Sequence, residues 1–290
     1  MSEFRRDALT GEWVAISGAR QGRPNLPATD CPFCVGGLEA PEPYEVKAFP
    51  NRWPIFSPGE PVDFAGERVP GRGAAEVVLY TPDHDATMAS LGVAGVRRVV
   101  DLWAERTEAL LARPEIEYVL VFENRGAEVG ATIPHPHGQI YAFPFVPPLP
   151  AREAEVAAAD GCALCPAPPQ ELVVHSGRGW RGWVPFASGW PYGTLIAPEA
   201  HVAGLPDLDD AARDGLAAAL VDVLGRYDRL FDRPFPYMMW IHPGVHLHVH
   251  VAPPLRAAET MRFVAAGELG SGTLTNPVEP EAAAEALRNA

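Results

Sequence analysis

Apolar residues recur at helical spacing in two long stretches. Over residues 95–113 they fall at Val96, Val99, Val100, Trp103, Leu110 and Leu111, and over residues 207–231 at Leu216, Leu220, Val223, Leu224, Tyr227 and Phe231. Spacing of three and four places each set on one stripe, which predicts two amphipathic helices with a buried face. Short strands are predicted around them at 76–80, 118–122, 193–197 and 237–241. The same order of elements thus occurs twice, so the expected fold is α+β and duplicated: two antiparallel-sheet halves, each packed against one long helix. Proline interrupts pairing at residues 144–150, and the boundary is set there, with one half at 1–146 and the other at 147–290. The tail at 279–290, rich in Ala and Glu, is expected to be a last surface helix.

Composition narrows the setting. A chain of 290 residues that is 47% hydrophobic is long enough for a substantial core. The formal charge of -14 argues against a nucleic-acid partner, so an anionic substrate must be held by local arginines and backbone N–H groups. Residues 1–12 mix acids and bases without an apolar core, and no apolar run approaches 18 residues, so neither a secretory leader nor a membrane span is expected. Four cysteines in two Cys-x-x-Cys pairs read as metal sites in a reducing, cytoplasmic setting rather than as disulfides.

The duplication extends to these chemical groups. Cys31-x-x-Cys34, His84 and the His135-Pro136-His137 strand in the first half are matched by Cys162-x-x-Cys165, His201 and the strand holding His246, His248 and His250 in the second. Superposition sets His246 on His135, His248 on His137 and His250 on Gln139. A bare His-x-His is more often a pair of metal ligands than a catalytic device, but its surroundings change that reading. Val121-Phe122-Glu123-Asn124-Arg125-Gly126, followed by Gly130-Ala131-Thr132-Ile133-Pro134-His135-Pro136-His137-Gly138-Gln139, closely resembles the active-site signature of galactose-1-phosphate uridylyltransferases, members of the histidine-triad superfamily. The stretch from Arg5 to Val14, Cys31-Pro32-Phe33-Cys34, Phe49-Pro50-Asn51-Arg52, Thr81-Pro82-Asp83-His84 and Arg262-Phe263 with Gly267-Glu268-Leu269 resemble further family segments in the same order. The resemblance implies the duplicated histidine-triad fold.

Tetrahedral zinc takes four N or S ligands, and Cys31, Cys34, His84 and His135 meet that count. With every position filled, such a zinc is structural. Cys162, Cys165, His201 and His246 form the matching second set, so two structural zinc ions are expected. Some members of the resembled family instead bind a second metal through a Glu and three His, which here are Glu153, His242, His248 and His250. On the Cys-containing choice, His248 and His250 are relics of a second active site or surface-facing sheet residues.

The chemistry expected from the resemblance centres on His137 as nucleophile towards the α-phosphorus of a nucleotide sugar, giving a covalent phosphohistidine. The leaving group is itself a phosphate, so no general acid is needed. Gln139 stands where hydrolytic relatives carry a third His; its amide donates a hydrogen bond but no proton, which biases the site towards transfer. Arg20 and Arg23 match a phosphate-binding pair that reaches across a two-fold interface, implying a homodimer. Asn51, Arg52, Asn124 and the Gly130-Ala131-Thr132 turn match nucleotide-holding positions, and Arg262, Phe263 and Glu268 match the sugar-phosphate loop. Arg262 replaces a usual Lys and Gly267 a usual aromatic, while Gly270-Ser271-Gly272 and Asn276-Pro277 look more like a Cys-x-x-Cys-bearing branch that includes adenylyl-transferring enzymes. The leading expectation is transfer of UMP between a nucleotide sugar and a hexose 1-phosphate. The alternatives are an adenylyl transferase or nucleotide-sugar phosphorylase, and a zinc-stabilised binding module without catalysis.

Overall fold

A computed structural model describes residues 2–22 and 30–290. The chain runs through β1 (Ser2–Arg6), β2 (Trp13–Ser17), β3 (Lys47–Pro50), β4 (Arg68–Pro70), β5 (Ala74–Leu79), α1 (Gly92–Leu111), β6 (Tyr118–Arg125) and β7 (His137–Phe143). It continues with α2 (Pro148–Asp160), β8 (Val173–Gly177), β9 (Trp180–Trp183), β10 (Thr194–Pro198), α3 (Asp210–Leu230), β11 (Tyr237–His242) and β12 (His248–Ala252). The ribbon β13 (Leu255–Ala257) and β14 (Thr260–Met261), then α4 (Ala266–Ser271) and α5 (Pro280–Asn289), complete it.

Among the described residues, the two expected half-sheets are fused into one antiparallel sheet of nine strands, in the order β3-β5-β7-β6-β11-β12-β10-β9-β8. The join is β6 against β11, with Trp240 opposite Phe122 and Met239 opposite Glu123. The two long helices pack together on one face. Val96, Val99, Val100 and Trp103 of α1 and Leu216, Leu220, Val223 and Leu224 of α3 are all buried in one core with the inward residues of the sheet. The predicted stripes therefore face each other as well as the strands. Across the helix pair, Arg97 of α1 donates at 2.6 Å to both Asp214 and Asp210 of α3. A smaller sheet, β2-β1-β4, closes an aromatic cluster of Phe4, Phe56, Phe64, Phe143 and Phe145 against the other face of the large sheet.

Strand pairing does stop before residues 144–150, since β7 ends at Phe143; Pro148 and Pro150 then lie in the first turn of α2, where the missing N–H is lost without penalty and a fixed φ suits the helix. The tail forms the expected last helix, α5, which exposes Glu281, Ala282, Glu285 and Arg288 and buries Ala283, Ala284 and Leu287 in the main core. Among the described residues, no helix is long and apolar enough to cross a membrane.

Candidate active site

β7 begins at His137 and is paired on both sides, with Leu79 opposite His137, Val77 opposite Gln139 and, on the other flank, Phe122 opposite Gln139. Alternation along the strand turns Gly138 and Ile140 into the core. His137 and Gln139 therefore share the other face, where they line a cavity of about 480 Å³ with Phe33, Asn51, Arg52 and Thr132. His137 Nδ1 lies 2.8 Å from the His135 carbonyl, which only accepts, so Nδ1 carries the proton and the lone pair sits on Nε2. The edge of Phe33 packs against the ring at 5.0 Å between centroids. Asn51 Nδ2 donates to Gln139 Oε1 at 3.2 Å, which occupies the carbonyl end of that amide and turns its N–H donors elsewhere.

Around this pair, Arg52 lines the cavity and bonds Glu39, itself a lining residue, at 2.6 Å. Arg20 donates to the Trp53 carbonyl at 3.0 Å, next to Arg52. Arg23 lies outside the described residues. Asn124 and Ala131 line a second cavity of about 380 Å³ that shares Ile133 and His137 with the first. Gly130 adopts φ +83 after a short 3-10 turn, a conformation that favours glycine, and Ala131 N donates to Gly126 O at 3.2 Å. Arg262, Phe263 and Glu268 line neither cavity. Arg262 is buried, bonded to Glu268 and set over the Trp190 ring at 4.5 Å, whereas Phe263 is 74% exposed.

Among the described residues, three groups bring potential metal ligands within 4.8 Å of one another. In the first, Cys34 Sγ is 3.4 Å from His84 Nδ1, and both cysteine sulfurs are 3.7 Å from His135 Nδ1. In the second, Cys162 is 3.4 Å from His246 Nδ1 and Cys165 is 3.1 Å from His201 Nδ1. Zinc bonds of about 2.3 Å to sulfur and 2.0 Å to nitrogen set tetrahedral neighbours roughly 3.5 Å apart, so both sets fit that ion. His135 donates its other nitrogen to Thr81 O at 2.8 Å, and His246 to Pro198 O at 3.0 Å, which fixes the ligating tautomer of each. Burial holds both imidazoles below their usual range and thus neutral.

The third group is Glu153, His242, His248 and His250. The carboxylate lies 3.0 Å from His242 Nδ1, 3.7 Å from His248 Nε2 and 3.8 Å from His250 Nε2. Burial pushes the Glu153 carboxyl up, but hydrogen bonds to His242 and His248 outweigh it and leave the group well below the carboxylate range. Burial, with the two neighbouring imidazoles, brings His250 down to about 3. The two ligand sets that compete in the sequence therefore stand side by side as separate clusters.

Other neighbours carry little local signal. Tyr44 bonds Phe33 O, Thr81 O and His135 Nε2 at 2.7, 2.9 and 3.0 Å, yet nothing near it in sequence marks it. Helix α2, which presents Glu153, is masked by its prolines. Glu123 did leave a trace, as a lone acid in an apolar strand.

Family models agree with this geometry. The N-terminal domain of galactose-1-phosphate uridyl transferase matches residues 64–147 and the C-terminal domain matches residues 167–290. Galactose-1-phosphate uridylyltransferase of Thermotoga maritima is 37% identical, over 99% of this chain and 98% of its own. A solved uridylyltransferase superposes with a TM-score of 0.89 at 30% identity, covering 99% of this chain and 97% of its own. An ADP-glucose phosphorylase from Arabidopsis thaliana, with bound ADP-glucose, gives 0.78 at 25% identity over 100% of this chain and 99% of its own. With matches that span both halves of the sheet and the strand carrying His137, the chain belongs to the galactose-1-phosphate uridylyltransferase family.

Proposed function

We propose that this chain is a UDP-glucose--hexose-1-phosphate uridylyltransferase that works through a covalent uridylyl-His137. One observation carries the reading: His137 holds its proton on Nδ1 against the His135 carbonyl, beside a Gln139 whose amide is oriented by Asn51, in one cavity. Nε2 attacks the α-phosphorus, the bond to the β-phosphate oxygen breaks, and hexose 1-phosphate leaves with that electron pair. The Nδ1 proton stays on the ring, and the carbonyl opposite it stabilises the positive charge that develops. Gln139 N–H groups bond a non-bridging phosphoryl oxygen in both directions. A second hexose 1-phosphate then attacks the phosphorus and returns the electron pair to Nε2. Arg20, Arg23, Asn51, Arg52, Asn124 and the Gly130-Ala131-Thr132 turn hold the nucleotide, and Arg262, Phe263 and Glu268 serve the sugar phosphate. Incubation with UDP-[α-32P]glucose tests the reading: acid-labile label on His137 and parallel initial-rate lines are expected, and intersecting lines overturn it.

The Arabidopsis likeness and the Gly270-Ser271-Gly272 and Asn276 segment favour a second reading, adenylyl transfer or phosphorolysis by the same His. The matching ADP-sugar label decides between them.

The same proposal divides the chain into halves at 146/147 and assigns zinc to the sets Cys31, Cys34, His84, His135 and Cys162, Cys165, His201, His246. A further divalent cation is assigned to Glu153, His242, His248 and His250, whose mixed nitrogen and oxygen donors suit it. When bound, the two zinc ions supply folding energy rather than an open coordination site. Cytoplasmic location and a homodimer complete the reading. Phe263 and Leu269, 74% and 76% exposed, support the dimer by leaving an apolar loop for a second copy to cover. Mixed His137→Ala and Arg23→Ala proteins are expected to regain activity through hybrid sites; no recovery after verified subunit exchange overturns the sharing.

A further inference from the structure

Behind the strand that carries His137, on the face turned away from the cavity of about 480 Å³, lies a buried polar cluster that the chemistry above does not use, and its Glu123 also lines the cavity of about 380 Å³. Phe122 pairs with Gln139, so the next residue of β6, Glu123, points to the opposite face, where Gly138 lies. Glu123 is buried, and the Tyr237 hydroxyl donates to its Oε1 at 3.0 Å. Its Oε2 and the hydroxyl of Tyr80 are both buried without a hydrogen-bond partner, and the two groups act on each other's ionisation. Burial pushes the Glu123 carboxyl up to about 7. A β-carbon at position 138 would overlap the Tyr80 hydroxyl and fall 3.0 Å from the Phe122 carbonyl oxygen. The cluster thus bears directly on the backbone between His137 and Gln139.

The second half supplies an internal control. Trp240 faces His250 as Phe122 faces Gln139, so Ile241 stands in the place of Glu123 and Val249 in the place of Gly138. Both are fully buried and apolar. Burying a carboxyl is far less favourable than burying Ile, so this fold has an apolar solution and departs from it in the half that holds His137.

We infer that Glu123 is a positioning residue: together with Tyr237 and Tyr80 it fixes Gly138, and so sets the directions of His137 and Gln139 into the cavity. The inference rests on the reading of His137 as nucleophile. It acts through the backbone at Gly138.

The test imports the second half's own residue, Glu123→Ile, and follows transfer by label on His137 and by steady state. A displaced nucleophile is expected to lower kcat and the labelling rate about 100-fold, with KM for the nucleotide sugar within about two-fold and zinc content unchanged. Glu123→Gln keeps an acceptor for Tyr237 and a donor towards Tyr80, so it is expected to recover kcat to within about 10-fold of wild type. Wild-type kcat in Glu123→Ile overturns the inference. So does a loss confined to KM, a loss that vanishes per zinc-loaded folded protein, or a Gln variant no better than Ile. If the Ile variant does not fold, Tyr80→Phe removes one oxygen only; about 10-fold lower kcat at unchanged KM is expected, and unchanged kcat overturns the inference. Absence of label in the wild type sinks the nucleophile reading alone, and the steady-state comparison then still decides Glu123.

Discussion

His137 and His248 occupy matching strand positions, and each has Nδ1 2.8 Å from the carbonyl two residues before it. Their tautomers are therefore set identically. What surrounds Nε2 differs. Around His137 stand Gln139, Asn51 and a cavity of about 480 Å³; around His248 stand His250, His242 and the Glu153 carboxylate, beside a cavity of about 760 Å³ that His248 also lines. Register places His242 where the first half has Asn124, and His250 where it has Gln139. One scaffold thus prepares an imidazole in both halves, and Glu153, His242 and His250 set the surroundings of the second apart from those of the first. The cysteine sets differ too. Tyr44 braces the first set from behind His135, whereas Cys165 and His201 of the second set are exposed.

The largest expected contrast is between the two matched histidines. His137→Ala should lower transfer by about 10⁴-fold or more with metal content intact, because it removes the proposed nucleophile. His248→Ala should lose the cation of the Glu153 group yet keep transfer within about 10-fold. Equal losses, measured by initial rates and elemental analysis, would erase the distinction between the halves. Next, Cys31→Ser and Cys162→Ser should each lose about one zinc, with a stability loss of several kcal/mol in denaturant titrations. Chelator should strip the Cys162 set first, since two of its ligands face solvent. Retained zinc in Cys162→Ser would break the match between the cysteine sets.

Gln139→His makes the first half resemble the second at one position. Transfer should slow about 10-fold while the fraction of phosphohistidine lost to water rises, as a proton donor returns; unchanged partitioning in product analysis would remove Gln139 from the mechanism. The smallest effect concerns how each long helix is tied to the sheet: Glu76 to Arg106 in the first half and Asp222 to His175 in the second. Burial raises Asp222, but the His175 hydrogen bond and Arg226 prevail and hold it below the usual carboxylate value. A depressed acid stabilises above its unfolded pKa and loses that contribution as pH falls through the folded one. Asp222→Asn should therefore be weaker than wild type by about 1 kcal/mol at pH 7, with the gap closing as pH falls below the usual carboxylate range in urea titrations. An equal gap at both pH values would assign the loss to packing.

The amphipathic stripes, the duplication and both cysteine sets were legible because each leaves a period or a spacing in the sequence. Residues 95–113 and 207–231 fell within a few positions of α1 and α3. Helix α2 was not legible, since prolines read as breakers until the structure places them in a first turn. Nor was the coexistence of the two second-half clusters, which depends on α2 presenting Glu153 to a strand 89 residues away from it in the chain. Tyr44 and the paired Tyr80 and Tyr237 reach their partners only through tertiary folding. The sugar-phosphate loop is a mixed case: its residues were named, but Arg262 and Glu268 bond each other instead of lining the cavity of their own chain.

The pairing of β6 with β11 has a consequence for geometry on the large scale. Side-chain alternation passes unbroken through that junction, so Gln139, Phe122, Trp240 and His250 form a single cross-strand row. Trp240 stacks on His250 at 4.8 Å, and Phe122 neighbours both Trp240 and Gln139. A slip of one residue at the junction would send the two sites to opposite sides of the molecule. As paired, the cavity beside Gln139 and the cluster that includes His250 lie on the same side of the sheet, within one row of side chains.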